Sequence, residues 1–60
     1  MTDKTTQILE EMAYVNERML RLADLMSDQT SDDAIYYRHH ANEIRKAAHI
    51  VSQWMFDIQS

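Results

Sequence analysis

In the first half of the chain, apolar side chains recur at Ile8, Met12, Val15, Met19, Leu22 and Met26. Steps of four and three alternate, the spacing of a helix that keeps one face against another helix. Written as a heptad, the a row is Thr5, Met12, Met19 and Met26, the d row is Ile8, Val15 and Leu22, and the reverse f row is Glu10, Glu17 and Asp24. The second half repeats the rhythm at Ala34, Tyr37, Ala41, Ile44, Ala48, Val51, Met55 and Ile58. There alanine fills all but one of the a positions and larger residues fill every d position. A row of alanines lets two helices approach closely and leaves volume that flexible methionines from the other helix can occupy.

"SDQTSDD", residues 27–33, interrupts both patterns with side chains that favour turns and helix caps over helix interiors. Thr30 with Asp33 has the spacing of a capping box, Ser31 competes as a cap, and Thr2 or Asp3 is placed to cap the first helix. These signals predict helix 1 over residues 3–27, a turn at 28–31 and helix 2 over 31–58. So short a turn folds the helices back on each other, giving an all-α, antiparallel two-helix hairpin as a single domain over residues 1–60.

A hairpin has one helix–helix interface, and a chain of 60 residues is small for a core that stands alone. The pattern supplies further apolar positions. Tyr36, His40, Ala47, Ile50 and Trp54 form a stripe beside the helix 2 core row, broken by Glu43. Leu9, Ala13, Leu20 and Ala23 form another on helix 1, broken by Asn16. Two apolar seams per helix are the pattern of a bundle, so the expected state is a homodimeric four-helix bundle. Its expected dimer interface is Leu9, Ala13, Leu20, Tyr36, His40, Ala47, Ile50 and Trp54.

Composition narrows the function. Glycine, proline and cysteine are absent, which removes disulfides and the residues that phosphate-cradling loops and strained active-site backbones most often use. Six basic against ten acidic residues give a net charge of −4, unfavourable for sequence-independent attachment to nucleic acid or an anionic membrane. Apolar runs are only a few residues long, so no leader or membrane span is expected and the location expected is cytoplasmic.

The densest chemistry is "YYRHH", residues 36–40. His39 or His40 with Glu43 has helical spacing for two metal ligands, but two ligands do not close a site, so no metal or cofactor is expected. The serines have turn, cap or surface explanations, and a pair of packed helices offers little concavity to activate a nucleophile, so no catalytic residue is expected. Arg38, Arg45 and Lys46 with Tyr36 and Tyr37 have the makings of a nucleic-acid surface. The simpler reading is that the arginines flank the core and pair with acids of helix 1. Tyr14, Ile35, Trp54 and Phe56 are expected on the outside as anchors for a protein partner, the last two within the apolar end "VSQWMFDI".

The length, paired heptad helices, glycine-free turn, alanine row and segment "HANEI" (His40 to Ile44) resemble the Rop-type plasmid copy-number regulators. That resemblance implies a dimeric four-helix bundle binding paired RNA loops through the exposed face of helix 1. Here that face carries Glu10, Glu17 and Asp24, which suits a protein partner better than RNA. In build and charge the chain is also similar to small phage-encoded helical-hairpin inhibitors of host proteins and to co-chaperones of type III secretion needle subunits. The expected function is therefore a non-enzymatic regulator or inhibitor of the phage or mobile-element type that binds a protein as a hairpin dimer. An RNA-binding regulator and a needle-subunit co-chaperone are the alternatives.

Overall fold

A computed structural model describes residues 3–60. They form two α-helices, α1 (Asp3–Ser27) and α2 (Ala34–Gln59), folded antiparallel into a rod of 50 × 15 × 9 Å. The all-α hairpin read from the heptads is the fold, and α1 ends at Ser27. Asp3 is already helical, and Thr2, the other expected cap, lies outside the described residues.

The turn closes through backbone bonds. Past the end of α1, Asp28 N–H donates to the carbonyl of Asp24 (3.1 Å) and Gln29 N–H to that of Met26 (3.4 Å). Ala34 N–H then donates to Ser31 and Tyr37 N–H to Asp33, both at 3.0 Å, so α2 starts at Ala34 instead of residue 31. Asp33 is its N-cap and makes no side-chain capping bond, so neither Thr30 nor Ser31 acts as the expected cap. No described residue has positive φ, which explains how the turn dispenses with glycine. At the far end, Ser60 closes α2 by donating both N–H (3.1 Å) and Oγ–H (2.9 Å) to the carbonyl of Phe56.

One polar contact sets the register. Asn16 is buried, and its Nδ2 donates to the carbonyl of Ala48 (3.1 Å) and to Ser52 Oγ (2.8 Å). Stepping one heptad from this contact in opposite directions along the two helices leads to Ala23 and Ala41, both fully buried. The reverse step leads to Leu9 and Met55, both half-buried. These layers put Leu9, Asn16 and Ala23 between the helices, with Met12, Met19 and Met26 half-buried beside them.

The inner face of α2 is the one expected, since Ala41 and Ala48 are buried and Ala34, Tyr37, Ile44, Val51 and Met55 half-buried; only Ile58, at the end of the row, is exposed. The inner face of α1 differs. Its expected d row, Ile8, Val15 and Leu22, remains 46, 45 and 48% exposed, while Asn16 and Ala23, assigned to the outer stripe, are buried. At 100° per residue, exchanging that row for the next one turns α1 by about 50°. The physical reason is size and polarity together. Helices that meet over alanine seat small side chains at the line of closest approach, and Ala23 fits there where Leu22 does not. Asn16 is admitted because Ser52 and the Ala48 carbonyl receive its amide.

Arg45 of α2 bridges to the end of α1, donating to Asp24 Oδ1 and Ser27 Oγ, each at 3.1 Å. This is the expected pairing of a core-flanking arginine with an acid of helix 1. Among the described residues no large side chain is fully buried, so the seam is narrow and most apolar area lies at its margins.

Candidate interaction surface

The rotation of α1 decides which apolar residues share a face. Around α1, the row of Ile8, Val15 and Leu22 lies on one side of the seam and the row of Ala13 and Leu20 on the other. A shallow groove lined by Glu11, Met12 and Val15 of α1 and Val51 and Trp54 of α2 shows which side of α2 adjoins the first row. Tyr36, His40, Ala47 and Ile50 belong to the same stripe of α2 as Trp54. Helical phase thus puts Ile8, Val15 and Leu22 on the same side of the hairpin as the stripe of Tyr36, His40, Ala47, Ile50 and Trp54, which exposed Glu43 interrupts.

The hairpin divides the residues expected at a dimer interface between its two sides. Its α2 members lie together, with His40 half-buried and the others exposed. Its α1 members do not join them: Leu9 packs in the hairpin seam, and Ala13 and Leu20 are exposed on the opposite side. Sequence reasoning missed Ile8, Val15 and Leu22 as surface residues. The available signal was Asn16, a residue able to sit in the seam once Ser52 was recognised as its partner.

The expected partner anchors also separate. Tyr14 borders the apolar face, lining a groove along α1 with Val15, Arg18, Arg21, Leu22 and Leu25. Trp54 is on that face and 56% exposed, but Met55 turns into the seam and Phe56, 71% exposed, emerges on the other side. Consecutive helical residues point 100° apart, so the "WMF" cluster of the sequence is divided by the helix. Ile35 is also exposed and lies in register with Phe56, away from Trp54.

The polar cluster resolves into separate neighbours. Tyr36 and His40 meet edge to face with ring centroids 4.3 Å apart, and Tyr36 also meets Tyr37 at 6.3 Å. Glu43 accepts from Lys46 Nζ at 3.1 Å. That hydrogen bond, and then the lysine's charge, holds the Glu43 carboxyl below the usual glutamate range; the histidines add less. The carboxylate is therefore directed to Lys46 and not to an imidazole. Among the described residues no group of three or more histidine, cysteine, aspartate or glutamate side chains stands together as a metal cage. None of the described helices is long and apolar enough to cross a membrane. No protein-family model, curated protein or solved structure matches the chain.

Proposed function

We propose that this chain is a small, non-enzymatic, cytoplasmic regulator or inhibitor of the phage or mobile-element type that acts by binding another protein as a hairpin dimer. The observation that carries the reading is the apolar face left outside the hairpin seam. An exposed aliphatic ridge, Ile8, Val15 and Leu22, lies beside exposed Trp54, and exposed Tyr36 stands on the same side toward the turn. Aromatic anchors beside aliphatic surface are where binding energy concentrates in protein interfaces. The charge pattern supports protein over nucleic acid as the partner. Glu10 and Glu17 lie exposed on the outside of α1, and two cations of α2 are already engaged, Arg45 with Asp24 and Lys46 with Glu43.

The test is affinity capture from the native host with the wild-type chain and with the double variant Tyr36→Ala/Trp54→Ala, helix content being checked by circular dichroism. A stoichiometric protein partner held by the wild type and lost from the still helical variant is the expected result. Capture of structured RNA, or of nothing beyond the chain itself, would overturn the regulator reading.

A further inference from the structure

We infer that a second copy of the chain covers the α1 part of the apolar face, leaving the Tyr36 and Trp54 stripe of α2 to the protein partner, with α1 of one protomer running antiparallel along α1 of its partner about a twofold axis beside Val15. This rests on the hairpin-dimer reading above and adds which helices meet, and in what register.

The warrant is a stripe that is its own complement. On the exposed side of α1 the sequence steps through Ile8, Glu11, Val15, Arg18 and Leu22: apolar, acid, apolar, base, apolar. The three aliphatics are exposed to nearly the same extent, 46, 45 and 48%, so the hairpin leaves the whole stripe equally uncovered. Glu11 and Arg18 are both exposed, and within the described residues neither forms an ion pair. They cannot pair with each other, because seven residues separate them by about 10 Å along the helix.

Laid against a reversed copy centred on Val15, Ile8 meets Leu22, Val15 meets Val15, and Glu11 comes level with Arg18 to within about one residue's rise, 1.5 Å. The acid–base contact then occurs twice. That is the reciprocity an isologous twofold interface requires, and it neutralises the only two charges in the stripe when the face is covered.

The alternative twofold arrangement sets α1 on the partner's α2. Glu11 and Trp54 already stand level across the hairpin, lining one groove. In that arrangement Glu11 would sit over the indole with no cation beside it. The nearest acid for Arg18 would be Glu43, which Lys46 already engages at 3.1 Å. Pairing α1 with α1 satisfies both charges.

The chain has no cysteine, so single cysteines report the geometry directly. Val15→Cys should form a disulfide-linked dimer under mild oxidation at micromolar concentration, and Tyr36→Cys, far from the axis, should not. Glu11→Arg and Arg18→Glu should each weaken dimerisation roughly tenfold, and the double exchange Glu11→Arg/Arg18→Glu should return it to within about threefold of wild type. Light scattering that shows a monomer at hundred-micromolar concentration overturns the dimer and this pairing together. A dimer that the reversals leave intact and Val15→Cys fails to link overturns the pairing alone. The cysteine test alters no charge, so it decides the geometry even where a charge reversal unfolds the chain.

Discussion

Replacing Asn16 by leucine should make the protein more stable. The amide is buried, Nδ2 donates to the Ala48 carbonyl and Ser52 Oγ, and Oδ1 is buried without a hydrogen-bond partner among the described residues. A leucine, which has the same branched skeleton of heavy atoms in a position that already holds a four-atom side chain, forfeits two hydrogen bonds, each a net contribution of about 1 kcal/mol. It removes the desolvation cost of the unpaired oxygen, about 1–3 kcal/mol, and adds an apolar side chain whose burial contributes about 1.5–3 kcal/mol. The losses strand little: the Ala48 carbonyl lies inside α2, and Ser52 is exposed and turns to water. The balance is a gain of about 2 kcal/mol, or a rise in Tm of about 10 °C for a chain this small. Thermal and urea unfolding followed by circular dichroism at matched protein concentrations measures it. Ser52→Ala should cost about 1 kcal/mol in the wild type and close to nothing beside Asn16→Leu, a coupling of about 1 kcal/mol. A lower Tm for Asn16→Leu, or strictly additive changes, would refute the claim that asparagine is retained for register at a cost in stability.

Two further outcomes follow from the seam and its flank. Ala41 is fully buried, one heptad from the Asn16 contact, so Ala41→Leu should overpack the closest approach and cost about 1–3 kcal/mol; a neutral result in urea unfolding would show that the helices are not held close there. Glu43 titrates below an ordinary glutamate because Lys46 donates to it. With the folded value depressed, its contribution is complete above the unfolded-state pKa and is lost as pH falls through the folded one. Carboxyl chemical shifts followed by NMR should show that low titration in the wild type and an upward move in Lys46→Met; an unmoved midpoint would exclude the lysine as the cause.

What the sequence made legible was periodicity, and what it obscured was phase. On α2 the two agree, since Ala41 and Ala48 lie between larger residues in a single row, and their burial follows from counting. On α1 the count favoured Ile8, Val15 and Leu22 because they are apolar and treated Asn16 as an interruption. The structure seats Asn16 and Ala23 instead, because fit against an alanine row depends on side-chain size and on a polar partner 36 residues away at Ser52. The Arg45–Asp24 pair was legible because charge complementarity survives a modest rotation. The Trp54–Phe56 cluster was misleading because neighbours in sequence are not neighbours on a helix. The α2 start was displaced because backbone bonds from Ala34 and Tyr37 close the turn without the side-chain caps at Thr30 and Ser31.

The same shift of phase changes what the hairpin needs in order to persist. A seam whose buried residues, among those described, are three alanines and one asparagine contributes little apolar burial, because alanine carries a single methyl group. The larger aliphatics lie along its edge, about half covered. Any helix laid on that edge adds area to Ile8, Val15 and Leu22 and also completes the cover over Met12 and Met19, which are already half-buried. Binding on this face and folding of the hairpin are therefore linked, and occupancy stabilises the folded chain by mass action. The polar contact at Asn16 has a distinct part in such a system. It adds little to the depth of the folded state, but it distinguishes one register from its neighbours, since sliding the helices by a turn removes Ser52 from reach of the amide. The exposed stripe on α1 therefore keeps its order of aliphatics and charges beside the Tyr36 and Trp54 stripe of α2, and that order is what a complementary surface must match.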